Sequence, residues 1–332
     1  MNLWQQKLMK MFPTAKCYAI LSKKENGMYR KARRTDMLIG GIEAGGTKMV
    51  CAVAATERNG ECAKIVDRIS LPTRQPEETL TEIIDYFKKW EIEALGIGCF
   101  GPVDLNRNSK TYGHITRTPK AGWENCDMAG IFKEALQVPV GFDTDVNGAV
   151  LGEVTWGAAK GCENAIYITI GTGVGVGVYS NGALLHGLVH PEAGHMLLQK
   201  HPEDNYQGRC PFHPNCVEGL ASGPAIEARW GKKAAELADC PEVWEMEAYY
   251  IAQAVTNYIV TYSPQKIILW GGVMHQEQLF DMVRTKVKEM LHGYIHHEMV
   301  EEKIEQYIVA PALGENPGIL GAIQLGLLEL GR

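Results

Sequence analysis

Short apolar stretches alternate with longer amphipathic ones along most of the chain, beginning at Met37. The short stretches are rich in β-branched residues and are bounded by glycine or charged residues, which is typical of buried strands. The longer stretches repeat apolar residues every three or four positions, as Leu80, Ile83, Ile84 and Phe87 do, and this spacing predicts helices with one buried face. Alternating strands and helices predict an α/β fold.

The pattern places the elements as follows. The predicted strands are 38–42, 49–54, 65–70, 95–97, a strand that ends near 143, 165–170, 174–179, 266–270 and 307–309. The predicted helices are 76–90, 128–136, 146–159, 224–237, 243–262, 276–291 and 318–330. Between them, the stretch 190–224 is rich in His, Pro, Gly and Cys and lacks periodicity, so we expect an insertion with a role of its own.

Charge is divided unevenly along the chain of 332 residues. Residues 1–36 carry nine basic and two acidic residues, whereas the remainder carries 24 basic and 37 acidic residues. The acidic remainder would repel phosphates, so we expect no nucleic-acid partner. Residues 1–36 are interpreted as a basic extension that is not part of the fold, with a basic docking tail as the alternative.

Targeting and redox signals are weak. No apolar run reaches the roughly 18 residues of a membrane span, so no membrane partner is expected. The basic N-terminal stretch lacks the apolar core of a secretory signal, and a mitochondrial transit peptide stays open as an alternative. Nine cysteines in a chain of this length are no disulfide framework, so we expect a cytoplasmic protein with reduced thiols.

The first of two glycine loops covers residues 40–48. Its order Gly45-Gly46-Thr47-Lys48 departs from the Walker pattern, and a strand follows it where that pattern requires a helix. The sequence therefore predicts a β-hairpin whose exposed N–H groups and Thr47 hydroxyl can hold phosphate oxygens. A plain glycine hairpin turn is the alternative.

The second glycine loop contains Gly171, Thr172 and Gly173. Val176 breaks the Gly-x-Gly-x-x-Gly pattern, which disfavours a dinucleotide-binding fold. Glycines leave the backbone without side chains, which allows a ligand to approach it closely. Close packing within a tight hairpin would also explain these glycines. Two glycine loops between strands suggest two related halves that hold the phosphates of one nucleotide.

Asp145 lies where a predicted strand gives way to a helix. Ligands of α/β proteins bind at the carboxyl ends of such strands. A carboxylate there could act as the general base of phosphoryl transfer to an alcohol. The alternative is that Asp145 only caps the helix.

A set of four residues has the spacing of a metal site. Two thiols and two imidazoles are the donors that Zn²⁺ prefers, and four protein ligands leave no open position, so the zinc would be structural. Free thiols and surface histidines are the alternative. The nearby His186, His190 and His201 lack the paired spacing and are interpreted as solvated or packed within loops. The four predicted ligands are His195, Cys210, His213 and Cys216.

These motifs, in this order, resemble the ROK family of bacterial sugar kinases and, within it, the fructokinase branch. The likeness runs from Met37 to Leu330. The matching stretches are Gly-Ile-Glu-Ala-Gly-Gly-Thr-Lys at 41–48, Gly-Pro-Val-Asp at 101–104, Thr-Asp-Val-Asn-Gly-Ala at 144–149, Leu-Gly-Glu at 151–153, Gly-Thr-Gly-Val-Gly at 171–175, His-Pro-Glu-Ala-Gly-His at 190–195, Glu-Gly-Leu-Ala-Ser-Gly-Pro-Ala at 218–225 and Trp-Gly-Gly-Val at 270–273.

The resemblance implies an actin-like and hexokinase-like (ribonuclease H-like) ATPase fold, in which two α/β domains flank a cleft. We expect a smaller N-terminal domain over 37–155, to which a C-terminal helix at about 315–332 returns. We expect a larger domain over 156–314 that includes a zinc loop at about 190–220. The implied activity is ATP-dependent phosphorylation of D-fructose to D-fructose 6-phosphate with Mg²⁺. The resemblance also implies a homodimer, the usual state in the family.

The family's functional positions carry over residue by residue. Asp145 matches the catalytic base. The remaining matches fall into two groups. The ATP-binding positions are Gly45, Gly46, Thr47, Lys48, Gly171, Thr172, Gly173, Pro224, Gly271 and Gly272. The sugar-binding positions are Gly101, Pro102, Thr144, Asp145, Glu192, His195 and Glu218.

Three departures from the family pattern bear on these expectations. Glu43 stands where many members have Asp, so its role toward magnesium is open. Thr144 stands where glucose-phosphorylating members usually have Asn, which argues against a glucokinase. The zinc loop has Cys-x2-His-x2-Cys spacing, as in fructokinase-like members. The alternatives are a mannokinase, a glucokinase or a broad hexose kinase and, from another class, a sugar-responsive ROK repressor.

Overall fold

The computed structural model describes residues 37–57 and 63–331, so the expectations for residues 1–36 lie outside the described part. Ten strands are formed within it. They are β1 (Met37–Ala44), β2 (Lys48–Thr56), β3 (Ala63–Pro72), β4 (Ala94–Cys99), β5 (Val140–Thr144), β6 (Ala165–Ile170), β7 (Val174–Ser180), β8 (Ala183–Leu184), β9 (Lys266–Trp270) and β10 (Ile308–Val309).

Ten α-helices accompany these strands in the described part, with short 3-10 turns at Ala193–His195, Ala234–Leu237 and Val273–His275. The helices are α1 (Pro76–Phe87), α2 (Met128–Leu136), α3 (Asp145–Trp156), α4 (Val217–Ala221), α5 (Gly223–Trp230), α6 (Pro241–Tyr262), α7 (Gln278–Leu291), α8 (Glu298–Glu301), α9 (Ile304–Tyr307) and α10 (Pro317–Leu330). None of these helices has the length and apolar character needed to cross a membrane.

The chain divides into two compact units. Unit 1 contains the described residues up to Lys160, the segment His186–His190 and the residues from Ala312 onward. Unit 2 contains Gly161–Leu185 and Pro191–Pro311. Unit 2 is therefore inserted into the sequence of unit 1.

Unit 1 is built on a five-stranded sheet with the order β3-β2-β1-β4-β5. The first three strands are antiparallel, whereas β4 and β5 run parallel to β1. Every residue of β4 and β5 is buried, as expected for parallel strands with both faces covered. One face packs against α1 and α2 through residues such as Ile83 and Phe132, and the other packs against α10 through Leu320 and Ile323.

Glycines allow α10 to approach both α3 and the sheet very closely. A Cβ on Gly321 of α10 would lie 1.6 Å from the carbonyl oxygen of Gly148 in α3. A Cβ on Gly96 of β4 would lie 1.7 Å from the carbonyl oxygen of Ala322. Neither position can carry a side chain without separating the elements, so these glycines set the spacing of the layers that carry Asp145.

Unit 2 repeats this sheet arrangement. Its order is β10-β9-β6-β7-β8, with β6, β7 and β8 antiparallel and β9 and β10 parallel to β6. Its core joins these strands to the long helix α6 and to α7 through residues such as Tyr250, Val255 and Val283. The repeated strand order agrees with the expectation of two related halves, and the architecture confirms the predicted α/β fold.

The largest differences between the expected and the observed elements lie between residues 190 and 237. A single helix over 224–237 was expected, but α5 ends at Trp230 because Gly231 adopts a left-handed conformation with φ of 71°. A 3-10 turn then covers Ala234–Leu237. Within the aperiodic stretch 190–224, the short helix α4 was not predicted, since five residues are too few to show a helical repeat.

Candidate functional site

The first glycine loop is the turn between β1 and β2, as the sequence predicts. Gly46, Thr47 and Lys48 are exposed at its tip. The N–H of Gly45 donates to the carbonyl oxygen of Lys48 at 3.0 Å, which closes the turn. The turn therefore presents backbone N–H groups and a hydroxyl to solvent, and these are hydrogen-bond donors that can bind phosphate oxygens.

The second glycine loop occupies the equivalent turn of unit 2, between β6 and β7. The N–H of Gly171 donates to the carbonyl oxygen of Gly173 at 2.9 Å, and Thr172 is exposed. An Oε2 atom of Glu218 accepts the N–H of Val174 at 3.1 Å. A Cβ on Gly173 would lie 2.6 Å from the same Oε2 atom, so Glu218 packs directly against the loop.

The positions expected to hold adenosine lie beside this second loop. The N–H of Gly223, which precedes Pro224, donates to the carbonyl oxygen of Gly171 at 2.8 Å. Gly271 has φ of 101°, and a Cβ there would lie 2.3 Å from the carbonyl oxygen of Ile170. Gly272 has open space at its Cβ position. The structure therefore groups these positions with the second loop, and glycine is required at 271.

Asp145 is the first residue of α3, directly after β5, and it is half-buried. The residue that caps this helix is Thr144, whose Oγ1 accepts the N–H of Asn147 at 3.1 Å. An Oδ1 atom of Asp145 accepts the N–H of Val146 at 2.9 Å. Gly98 of β4 leaves room beside it, because a Cβ there would lie 3.3 Å from the Cα atom of Asp145. Asp145 therefore does not serve as the N-cap, and its carboxylate is partly accessible.

The other unit 1 positions expected to bind sugar follow β4. Gly101 and Pro102 are joined by a cis peptide bond and are followed by the buried Val103. In unit 2, Glu192 is exposed, and its carbonyl oxygen accepts the N–H of His195 at 2.9 Å. The structure thus brings Glu192 and His195 into one turn.

Four side chains form a cluster with the composition of a zinc site. The candidate ligand atoms of His195, Cys210, His213 and Cys216 all lie within 4.8 Å of one another. The Nδ1 atom of His195 lies 3.7 Å from each of the two Sγ atoms. Zn–S bonds of about 2.3 Å and Zn–N bonds of about 2.0 Å in a tetrahedron put sulfur and nitrogen roughly 3.5 Å apart. The two distances from His195 to the thiol sulfurs agree with such a tetrahedron.

Glu43 lies at the end of β1 and is half-buried. Burial raises the pKa of its carboxyl group, and the charges of Arg68 and Lys48 oppose this rise. Its side chain packs against α10, since a Cβ on Gly318 would lie 2.6 Å from the Glu43 carboxyl carbon. Glu43 is therefore held within unit 1 by packing as well as by charge.

Comparison with known proteins agrees with this arrangement. The model of the ROK family matches residues 39–328, which is most of the chain. The chain belongs to the ROK family.

This ROK protein has relatives of nearly its own length. It is 47% identical to a fructokinase of Pediococcus pentosaceus, over 89% of this chain and 99% of the relative. It is 42% identical to a fructokinase of Streptococcus mutans serotype c (strain ATCC 700610 / UA159), over 89% of this chain and 97% of the relative. The crystal structure of a ROK hexokinase from Thermus thermophilus superposes with a TM-score of 0.73 at 25% identity, covering 89% of this chain and 99% of that one.

In this ROK protein, Asp145 has a buried acidic neighbour that the sequence patterns missed. Asp143 is 3% exposed, and its Oδ1 atom accepts the N–H of Thr144 at 2.8 Å and the side-chain amide of Asn147 at 2.7 Å. Its Oδ2 atom lies 2.7 Å from the Nε2 atom of His186. A buried carboxylate two residues before Asp145 therefore organises the first turn of α3, and the only sequence signal for it was an Asp inside a predicted strand.

Proposed function

We propose that this chain transfers the γ-phosphoryl group of ATP to the 6-hydroxyl of D-fructose, which yields D-fructose 6-phosphate and ADP. The observation that carries the proposal is the placement of Asp145. Asp145 follows directly on the carboxyl end of a parallel strand, and the cap of the helix that it begins is made by Thr144. The similarity to proteins named fructokinase over nearly their whole length supports fructose as the sugar.

Asp145 acts as the general base. Its carboxylate takes the proton of the sugar hydroxyl while that oxygen forms a bond to the γ-phosphorus and the bond to the ADP oxygen breaks. Such proton removal contributes about 10²- to 10⁴-fold to a rate. Asp143 and Thr144 fix the helix turn that carries Asp145, so the base is presented in one orientation.

The two glycine loops bind the phosphates of the MgATP substrate. Gly45, Gly46, Thr47 and Lys48 supply N–H groups, a hydroxyl and a positive charge from unit 1. Gly171, Thr172 and Gly173 supply the equivalent groups from unit 2. Pro224, Gly271 and Gly272 lie next to the second loop and contact the adenosine, and the open space at the Cβ position of Gly272 leaves its backbone accessible.

The proposed sugar-binding residues are Gly101, Pro102, Thr144, Glu192, His195 and Glu218. The hydroxyl oxygen of Thr144 accepts the N–H of the helix cap, so toward a ligand it offers its O–H and one remaining lone pair. An asparagine would offer two N–H donors and a carbonyl oxygen on a longer side chain. This difference disfavours glucose relative to fructose at the same pocket.

The cluster of His195, Cys210, His213 and Cys216 holds a structural zinc ion. Two thiolates and two imidazoles satisfy the preference of Zn²⁺, and four protein ligands leave no open position on the ion for a substrate. The ion would fix the loop that contains Cys210, His213 and Cys216 to His195. We further propose a cytoplasmic homodimer with no nucleic-acid or membrane partner.

A coupled assay of ADP formation with fructose, mannose and glucose tests the proposal. Fructose should give the highest kcat/KM, and a higher value for mannose or glucose would replace the proposed substrate.

Asp145→Asn should abolish phosphoryl transfer while calorimetry still detects fructose binding. Asp239→Asn, at an exposed position, is the matched control and should retain full activity. Substantial transfer by Asp145→Asn would remove the residue from the role of base.

A further inference from the structure

The segment His186–His190 belongs to unit 1, although the chain before and after it belongs to unit 2. Its central residues Leu188 and Val189 are exposed, so burial of apolar surface contributes little to holding it there. The histidine at each end instead makes a specific polar contact. These two contacts lie next to residues assigned above to the sugar site.

His186 makes the first contact. Its Nε2 atom lies 2.7 Å from the Oδ2 atom of Asp143. A carboxylate oxygen can only accept, so the imidazole donates its Nε2–H. The other oxygen of Asp143 holds Thr144 and Asn147, and thereby the turn that presents Asp145. His186 is thus connected to the base through one buried carboxylate.

His190 makes the second contact. It is 5% exposed, and its Nε2 atom accepts the backbone N–H of Val103 at 3.2 Å. Its ring hydrogen must therefore be on Nδ1. Val103 follows Gly101 and Pro102, so this bond fixes the loop that carries two further sugar-site positions. Glu192 comes two residues later along the chain.

We propose that His186 and His190 are positioning residues for the sugar site. Through Asp143 and Val103 they fix the turn of Thr144 and Asp145 and the loop of Gly101 and Pro102 in one arrangement. The inference rests on the proposed function of Asp145 and its neighbours. It adds a role that the glycine loops, the zinc cluster and the catalytic base do not supply.

Three variants of His186 test the first contact, because this side chain is partly exposed and its loss should leave the fold intact. His186→Ala should lower kcat/KM for fructose by about tenfold or more through misplacement of reacting groups, with KM for ATP unchanged. His186→Gln keeps an N–H near the place of Nε2 and should recover most of the activity, whereas His186→Asn should not. His296→Ala removes an exposed histidine of unit 2 and should change neither constant.

The second contact is tested by His190→Gln and His190→Leu, with thermal unfolding measured beside the kinetics. The glutamine can still accept from Val103 and should keep KM for fructose within about threefold of the original, while the leucine cannot accept and should raise it further. Wild-type protein that fails to phosphorylate fructose would overturn the proposed function itself. Active wild type together with unchanged kinetics in His186→Ala, or equal KM values in the two His190 variants, would overturn the positioning role alone.

Discussion

The hydroxyl of Thr73 donates to the carbonyl oxygen of Gly45 at 2.7 Å, and its backbone N–H donates to the carbonyl oxygen of Thr47 at 2.9 Å. Thr73 is buried and directly follows β3. Because Thr73 binds two carbonyl groups of the first glycine loop, it fixes the conformation of the exposed turn at Gly46 and Thr47. Thr73 therefore stabilises the loop through two hydrogen bonds, and no sequence pattern predicts this role.

Thr73→Val should therefore raise KM for ATP about fivefold, the equivalent of one hydrogen bond of about 1 kcal/mol, and leave KM for fructose unchanged. Thr73→Ser keeps the hydroxyl and should restore ATP binding. Initial-rate kinetics with each substrate varied in turn give both constants. An equal rise in both KM values, or an unchanged KM for ATP, would contradict the proposed stabilisation of the loop by Thr73.

Loss of one proposed metal ligand should release the loop that contains Cys210, His213 and Cys216 from His195. Cys210→Ser should reduce bound zinc from about one ion per chain toward zero and lower Tm, since metal binding contributes folding free energy. Elemental analysis and thermal unfolding measure the two effects. Cys162→Ser, outside the cluster, should keep its zinc and its Tm. Wild-type protein that folds and remains active without metal would refute the zinc site.

The contact between α10 and α3 predicts unequal effects for two neighbouring glycines. Gly321→Ala would place a Cβ 1.6 Å from the Gly148 carbonyl oxygen and should lower the free energy of unfolding by about 3 kcal/mol or more. Gly148→Ala meets no atom closer than 3.7 Å and replaces a helical glycine, so it should be neutral or slightly stabilising. Denaturant unfolding of both variants checks this, and equal losses would contradict the packing.

Glu153 predicts a pH dependence of stability. It is fully buried, and burial raises its pKa to about 7, against the opposing effect of N–H groups from Ala158, Leu313 and Ala312. In the unfolded chain the carboxyl group loses its proton near the ordinary value of 4.5. Between these values folding takes up a proton, so the contribution of Glu153 is fully present below about pH 4.5 and is lost as the pH rises through 7.

Urea unfolding of wild type and Glu153→Gln from pH 4 to pH 8 measures this contribution. The free energy of unfolding of wild type minus that of the variant should fall by about 3 kcal/mol across this range, because one pKa unit corresponds to about 1.4 kcal/mol. Glu289→Gln, at an exposed position, should show a flat difference. A flat difference for Glu153→Gln as well would mean that its pKa is not raised.

The parts of the fold that sequence predicts are those determined locally. Strand 165–170 and strand 266–270 match β6 and β9 at both ends, because turn-forming or charged residues flank short apolar runs. The hairpins at the two glycine loops were predicted for the same reason. The predicted helix 224–237 is correct as far as Trp230 and wrong beyond it. Its apolar spacing continues past Gly231, and periodicity does not show the backbone conformation that ends α5.

The zinc cluster shows why part of the candidate site could be predicted. Cys210, His213 and Cys216 lie in one short loop, so their spacing alone suggests a shared ion. The contact of His186 with Asp143 joins residues 43 positions apart in the sequence. No local pattern reports such a pair, because it depends on how the segment His186–His190 is placed against the end of β5.

The insertion of unit 2 into unit 1 has a consequence for synthesis. The sheet of unit 1 needs α10 to cover one face, and α10 is encoded after all of unit 2. On the ribosome, unit 2 can close its own core first, whereas β1, β2, β4 and β5 must wait with that apolar face uncovered until residues 317–330 emerge. Truncation or slow translation near the 3′ end of the message would thus leave unit 1, which carries Asp145, and not unit 2 exposed to chaperones and proteases.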